Sequence, residues 1–289
     1  MDSLERGLGL LPISLRARAA ERIPKDAEEL RLRVGRPPSY LAEGREAPFA
    51  EERVDEELLL RVLEKATAAS IHTAAGALAE GYWCYHGLRI GLCGTAIRRD
   101  GVVNGFRELS SLAIRIPRER RGICDATIGC IADPAFRNTL LLSRPGGGKT
   151  TALRELIRLL SERGYRICVA DERNEIAAKD GAVQQFDLGP CTDVLTGMDK
   201  AAAARMLLRS MSPQILAMDE IASADEMRAV FTAVGSGTGI LASVHAPSVA
   251  ELRRRPGLRD LLASGAFSLA LCIEGNGKGR SYRLEEIPA

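Results

Sequence analysis

The chain has 289 residues, of which 46% are hydrophobic and 27% are charged, a length and composition that predict a soluble globular protein of about two domains. Its 40 basic and 38 acidic residues nearly balance, so charge gives no general reason to expect nucleic-acid binding. No apolar run approaches the length of a membrane span, and the N-terminal residues lack the apolar segment of a signal peptide. We therefore expect no direct membrane insertion.

Cysteine usage indicates the redox environment. The seven cysteines are scattered and form no Cys-x-x-Cys pair, so a structural zinc site is not expected. Several lie in apolar runs, as Cys168 does, which predicts buried thiols in a reducing cytoplasm.

The first part of the chain mixes short helices and strands. Its patterns predict a basic amphipathic helix over 13–23, strands over 30–34 and 40–44, and a helix over 55–69. Strands over 81–85, 88–93, 95–98 and 112–116 are expected to pair antiparallel, with glycine turns near 86–87 and 100–101. The charged segment 117–122 is the predicted linker, which gives domains 1–118 and 119–289.

The second part alternates strands with helices, a pattern typical of a parallel sheet. Strands are predicted over 139–142, 165–170, 214–218 and 239–244, and helices over 149–161, 200–211 and 224–234. Residues 267–287 predict closing strands around a glycine-rich turn at 275–279. The expected fold class is α/β, with an N-terminal α+β domain before a domain with a mainly parallel sheet.

A glycine-rich segment between the strand at 139–142 and the helix at 149–161 is the most specific motif. Glycines let backbone N–H groups turn towards an anion, and a helix that begins at Lys149 adds unpaired N–H groups and a positive dipole end. Lys149 can reach the β- and γ-phosphates of a nucleotide, and the Thr150 hydroxyl can ligate Mg²⁺. The predicted nucleotide-binding residues are Ser143, Arg144, Pro145, Gly146, Gly147, Gly148, Lys149, Thr150 and Thr151.

Two points stay open at this segment. A glycine-rich turn that binds no ligand is the alternative. Ser143 also stands where the motif usually begins with glycine, which bears on how tightly a nucleotide binds.

An acidic pair follows the strand at 214–218. Because ligands bind at the carboxyl ends of strands in a parallel sheet, Asp219 is placed to hold Mg²⁺ and Glu220 to polarise the attacking water. A pair of acids that cap a helix is the alternative.

Polar residues also follow two further strands. Asp171, Glu172 and Glu175 lie at the tip of one, where a solvated acidic loop is the alternative. His245 ends the other, and we favour a sensor of the γ-phosphate over a structural histidine.

The order of these motifs, with Arg209 before Met211-Ser-Pro213, resembles that of the secretion and type IV pilus-retraction ATPases. The resemblance implies a RecA-like hexameric motor that uses ATP and Mg²⁺. It implies that Asp171, Glu172 and Glu175 form the aspartate box, that Glu220 is the Walker B glutamate and that His245 is the histidine box. The family usually has glycine where this chain has Asp219.

The N-terminal part is similar to the same family. Residues 29–38 resemble the opening of its PAS-like N-terminal domain, and Arg89 and Arg115 lie in segments that resemble its arginine-bearing strands. The resemblance implies that both arginines are catalytic and reach the nucleotide of a neighbouring subunit. Pairing with acids of their own sheet, such as Glu108, is the alternative.

Segments 31–37, 87–92, 114–116 and 171–176 resemble more narrowly the stage III sporulation AA family of endospore-forming bacteria. This resemblance implies a cytoplasmic motor at the inner face of the mother-cell membrane, with membrane proteins of a sporulation channel complex as partners. A nucleic-acid-stimulated RecA-like ATPase is the second hypothesis, although no basic stripe with stacking aromatics accompanies the motifs. A nucleotide-binding scaffold with little turnover is the third, because of Ser143.

Overall fold

A computed structural model of the chain describes residues 3–67, 81–99, 102–117, 119–179, 181–275 and 279–288. The chain divides into two compact units, Met1–Arg118 and Glu119–Ala289. The boundary falls in the charged segment 117–122, and the buried apolar residues of each unit form clusters of their own. None of the helices in the described ranges has the length and apolar character of a membrane span.

The first unit packs helices on an antiparallel sheet. Its described elements are α1 (Ser3–Leu10), α2 (Ile13–Arg22), β1 (Glu29–Arg33), β2 (Ser39–Ala42), β3 (Arg45–Pro48), α3 (Glu56–Ala66), β4 (Tyr82–Tyr85), β5 (Leu88–Arg99) and β6 (Val102–Arg115). These six strands lie in the order β3-β2-β1-β6-β5-β4. α3 begins at Glu56 because the Asp55 side chain accepts the Leu58 N–H at 2.7 Å, and its buried face of Leu59, Val62 and Leu63 joins the core.

One strand replaces two predicted strands in this unit. Segments 88–93 and 95–98 belong to the continuous β5, with a register shift between Cys93 and Thr95 against β6. Gly94 makes this possible, because a Cβ there would lie 3.0 Å from the Glu108 carbonyl oxygen. The predicted turn at 100–101 and the end of the helix predicted over 55–69 lie outside the described residues.

The second unit is a helix-covered sheet. Its described elements are α4 (Asp125–Ala132), β7 (Thr139–Ser143), α5 (Lys149–Glu162), β8 (Ile167–Asp171), β9 (Thr192–Thr196), α6 (Lys200–Ser210), β10 (Ile215–Met218), α7 (Ala224–Gly235), β11 (Gly239–His245), α8 (Val249–Leu252), α9 (Pro256–Ala263), β12 (Leu269–Glu274) and β13 (Ser281–Glu286). The strand order among these residues is β13-β12-β7-β11-β10-β8-β9. Among the described strands of this second sheet, only β13 runs antiparallel to its neighbour. The α/β class is confirmed, and the sheet is mixed.

The structure differs from the sequence predictions at an edge strand and at several thiols. The edge strand β9 was not predicted, because its half-exposed TDVLT sequence lacks the apolar run of the central strands. Burial of the thiols holds for Cys124, Cys168 and Cys272, whereas Cys84, Cys93 and Cys130 are exposed. The last three lie at positions where the chain faces solvent, which composition alone does not reveal.

Gly94 offers a test of the β5 geometry. Gly94→Ala is expected to lower the free energy of unfolding by about 1–3 kcal/mol, because the nearest atoms are backbone atoms that cannot turn aside. Gly9→Ala in α1 is the matched control, since nothing lies within 4 Å of the added Cβ, and alanine favours a helix. Equal stability of the two variants in chemical denaturation would contradict the described β5–β6 pairing.

Candidate functional site

The parallel register of the second sheet brings the predicted site residues to one edge. Ser143 at the end of β7 pairs with His245 at the end of β11. Met218 of β10 is level with Ala242 of β11 and Ala170 of β8. The polar residues that follow these strands therefore leave the sheet at the same level.

The glycine-rich loop between β7 and α5 curls over the start of the helix. Gly146 and Gly148 have φ values of 74° and 95°, which L-side chains rarely adopt. Gly147 has no room for a Cβ, which would lie 2.5 Å from the Ser143 Oγ. α5 begins at Lys149, so the N–H groups of its first turn face the loop without partners in the helix.

Ser143 fits beneath this loop. The residue is 1% exposed, and its hydroxyl donates to the Arg144 carbonyl oxygen at 2.8 Å. The space that the usual glycine would leave is instead provided by Gly147. The serine is thus compatible with the curled loop.

Lys149, His245 and Glu220 form a chain of polar contacts. The Lys149 Nζ lies 2.6 Å from the His245 Nδ1, and the His245 Nε2 lies 3.4 Å from the Glu220 Oε1. Because an ammonium can only donate, we infer that Nδ1 accepts and that Nε2 carries the proton that faces Glu220. Burial lowers the pKa of Lys149, against the opposing effect of Asp219 and Glu220.

Asp219 connects the loop to the neighbouring strand end. The Thr150 hydroxyl donates to the Asp219 Oδ2 at 2.8 Å, and the Ser243 hydroxyl donates to the other carboxylate oxygen. The same Ser243 oxygen accepts the Glu220 N–H at 2.9 Å. One buried hydroxyl therefore fixes both acidic residues. Ser243 was not among the predicted site residues, although a serine inside the apolar run of β11 was a usable signal.

The acidic loop after β8 has a structural centre. Asp171 is buried and accepts the N–H groups of Glu175, Ile176 and Ala177 at 2.9–3.1 Å. Burial raises its pKa above the ordinary value despite these hydrogen bonds. Asp171 therefore shapes the loop that carries Glu172 and Glu175.

Carboxylates converge on a small cavity beside this loop. Its volume is about 30 Å³, enough for one water molecule. It is lined by Ala170, Asp171, Glu172, Arg173, Glu175, Lys200, Asp219 and Glu220. The structure thus brings Glu172, Glu175 and Glu220 together around one space.

Lys200 at the start of α6 is a second residue that sequence analysis missed. Its Nζ donates to the Asp219 and Glu220 carbonyl oxygens at 3.0 and 2.7 Å and pairs with Glu226 at 3.0 Å. Burial raises the pKa of Glu226, but the N–H groups of Ser223 and Ala222 and the Lys200 cation hold it below its usual value. No sequence pattern indicated this pairing, because it joins residues on two different helices.

The two predicted arginines belong to the first unit. Arg89 on β5 and Arg115 on β6 are direct partners in register. The Arg89 guanidinium lies 4.1 Å from the centre of the Tyr82 ring, and Arg115 lies 3.7 Å from the Glu29 carboxylate. The alternative, pairing with an acid of the same sheet, therefore holds for Arg115 with Glu29, while Glu108 accepts the Thr95 hydroxyl. Arg115 is nonetheless 68% exposed.

The residues at this edge fit a nucleotide and Mg²⁺. The loop curls through the positive φ values of Gly146 and Gly148, Lys149 supplies a cation, and Thr150 and Asp219 supply oxygen ligands of the kind that Mg²⁺ prefers. A cleft of about 480 Å³ adjoins the loop. It is lined by Arg144, Pro145, Gly147, Pro247, Ile273, Glu274 and Gly275. Thr151 follows at the third position of α5.

Lys200 provides a test of this description. Lys200→Met is expected to lower the free energy of unfolding by about 3–5 kcal/mol, because it leaves the Glu226 carboxylate buried without its cation. Arg205→Met is the matched control on the exposed side of the same helix, with a change within about 0.5 kcal/mol. Additive losses in Lys200→Met and Glu226→Gln, measured in a double-mutant cycle, would show that the pair is not coupled.

Comparison with known proteins gives the family and the fold. The family model described as Sporulation stage III, protein AA matches residues 5–283. Stage III sporulation protein AA of Bacillus subtilis (strain 168) is 32% identical over 268 residues, which cover 89% of this chain and 87% of that protein.

Solved structures resemble the fold at low sequence identity. The Legionella pneumophila ATPase DotB matches with a TM-score of 0.65 and 16% identity, over 95% of this chain and 80% of that one. The pilus retraction motor PilT, solved with bound ADP, matches with a TM-score of 0.63 and 15% identity, over 96% of this chain and 84% of that one. The chain therefore has the fold of secretion and pilus ATPases and belongs to the stage III sporulation protein AA family.

Proposed function

We propose that the protein is an ATP-hydrolysing motor of the RecA-like class that serves a membrane-spanning, secretion-like channel complex in sporulation. One observation carries the proposal: Thr150 of the glycine-rich loop is hydrogen-bonded to Asp219, while Lys149 contacts His245. A loop that fits phosphates and an acidic pair that fits Mg²⁺ and water thus adjoin each other. The family membership supplies the link to sporulation.

The proposed binding roles follow from charge and position. The backbone N–H groups of residues 146–150 would hold the phosphates, with Lys149 as the counter-charge. Thr150 and Asp219 would hold Mg²⁺, which neutralises charge on the phosphates when it is bound. Lys149 would then exchange its His245 contact for a phosphate oxygen.

Glu220 is the proposed general base. The Ser243 hydroxyl and Lys200 bind the backbone of Glu220, which has a φ of 51°. The side chain therefore extends from a fixed backbone position beside the small acidic cavity. A carboxylate there can accept a proton from water in the cavity. His245 contacts both Lys149 and Glu220. It would therefore signal to Glu220 whether Lys149 is bound to a phosphate. Glu172 and Glu175 are the next candidates for the role of general base.

The proposed assembly is a homo-hexamer with membrane proteins of the channel complex as partners. Both follow from likeness to the secretion and pilus ATPases. We further propose a PAS-like N-terminal unit and a location at the inner face of the mother-cell membrane. Pull-down from a membrane fraction with the ATP-locked Glu220→Gln protein tests the partners, and recovery of no membrane protein would contradict them.

Loss of the lysine is expected to weaken nucleotide binding. Lys149→Ala removes a charge-assisted contact in a buried site, so the dissociation constant for a labelled ATP analogue should rise about 10- to 100-fold. Lys179→Ala, in the loop after β8, is the control and should bind as the wild type does. Equal affinity of Lys149→Ala and the wild type would show that the glycine-rich loop is not the nucleotide site.

Loss of the base is expected to stop turnover while binding is kept. Glu220→Gln should bind ATP within a few-fold of the wild type but hydrolyse it about 100-fold or more slowly. Asp225→Asn, on the exposed first turn of α7, is the matched control. Turnover of Glu220→Gln close to the wild-type rate would transfer the role to Glu172 or Glu175. Stimulation of the wild type by single-stranded DNA would favour a nucleic-acid-dependent ATPase instead.

A mixing experiment tests whether Arg89 and Arg115 act between subunits. Lys149→Ala protein and Arg89→Ala/Arg115→Ala protein are each expected to be inactive, whereas their mixture should recover part of the activity. The reason is that an intact loop of one subunit can meet intact arginines of another. An arginine supplied in trans raises the rate of related phosphoryl transfers by a factor of about 10³–10⁵. Arg61→Ala, on the exposed face of α3, is the matched control for the double variant and should be active by itself. No recovery in a mixture that co-assembles by light scattering would contradict action in trans.

A further inference from the structure

Arg280 lies against the glycine-rich loop, and no motif predicted it. It directly precedes β13, and its Nη2 donates to the Gly146 carbonyl oxygen at 3.3 Å. A Cβ added to Gly148 would lie 3.0 Å from its Cζ, so the guanidinium occupies the space above that glycine. This arginine belongs to the same unit as the loop.

The charge of Arg280 lacks a counter-ion in the described part of the chain. No carboxylate among the described residues forms an ion pair with it, and its Nε is buried without a hydrogen-bond partner. Arg283, three residues further on, differs: it pairs with Glu274 and Glu285 at 3.5 and 3.2 Å. A guanidinium has five N–H donors, and here a long contact to one carbonyl oxygen uses a single donor.

The sheet fixes the position of this arginine relative to the loop. β12 pairs with β13, with Glu274 opposite Ser281, and β12 also pairs with β7, which leads into the loop. Arg280 therefore stands at the strand end next to Ser281, across one strand from the phosphate loop. It needs no second subunit to reach Gly146 and Gly148.

We propose that Arg280 is a phosphate-binding residue that contacts the diphosphate shared by ADP and ATP. Gly146 and Gly148 belong to the part of a phosphate loop that cradles the α- and β-phosphates, whereas the lysine reaches towards the γ-phosphate. A planar guanidinium can bind two phosphate oxygens at once, which would fill its vacant donors. The inference rests on the proposed nucleotide binding and adds a cation from the same chain.

The test compares the affinities of ADP and ATP by titration with fluorescent analogues. Arg280→Ala is expected to raise both dissociation constants by a similar factor, about 10- to 100-fold, because a charge-assisted contact is lost in each complex. Arg280→Lys keeps the charge without the planar fork and should lie between the wild type and Arg280→Ala. Arg283→Ala, three residues further along in β13, is the matched control and should bind both nucleotides as the wild type does.

The outcomes separate this inference from the proposed function. If the wild type binds and Lys149→Ala does not, but Arg280→Ala binds as the wild type does, only the role of Arg280 is overturned. Tighter binding by Arg280→Ala would show that the arginine blocks the loop, and weaker binding of ATP alone would show a γ-phosphate contact. Either result contradicts the inference. Failure of the wild type to bind would overturn the proposed function as well.

Folding is checked independently of nucleotide. Thermal unfolding of Arg280→Ala without nucleotide should match that of the wild type, because the Arg280 guanidinium has little bonding to lose. If Arg280→Ala does not fold, Arg280→Gln replaces it in the titration, with the same expected direction. Addition of ADP should then raise the melting temperature of the wild type more than that of the variant.

Discussion

The candidate site depends on the shared register of the four central parallel strands. Because Ser143 pairs with His245 and Met218 is level with Ala242 and Ala170, the loops after these strands begin at one level of the sheet. A slip of one residue in β11 would move Ser243 and His245 together to the other face of the sheet. Such a slip would also separate the Ser243 hydroxyl from the Asp219 carboxylate and the Glu220 N–H, which it contacts in the observed register.

Polar residues beneath the site hold a strained conformation at Glu220. A non-glycine residue at positive φ costs on the order of 1–3 kcal/mol, so the surrounding structure has to determine it. Ser243 accepts its N–H, and Lys200 binds its carbonyl oxygen while Glu226 holds Lys200. The strain therefore stays at the residue proposed as the base, while the supporting groups come from β11, α6 and α7.

Local sequence patterns predicted the parts of the fold that have strong local signals. Three elements have sequence patterns that are typical of few other structures: the glycine-rich loop, the helix that starts at Lys149 and the buried strand before Asp219. β9 was missed because a half-exposed edge strand has no such pattern, and β5 was divided in two because Gly94 looks like a break. Ser243, Lys200 and Arg280 were missed because their importance comes from partners 23, 20 and 134 positions away in the chain. Contacts of this kind depend on tertiary structure and leave no periodic signal.

Dependence of nucleotide binding on Mg²⁺ tests the central claim most directly. The Thr150 hydroxyl is hydrogen-bonded to the Asp219 carboxylate, and these two groups are the proposed ligands for the ion. Calorimetric titration of the wild type with ATP should show binding that weakens when EDTA replaces Mg²⁺, and Asp219→Asn should lose most of this difference. Binding of equal strength with and without Mg²⁺, or no binding in either buffer, would contradict the account.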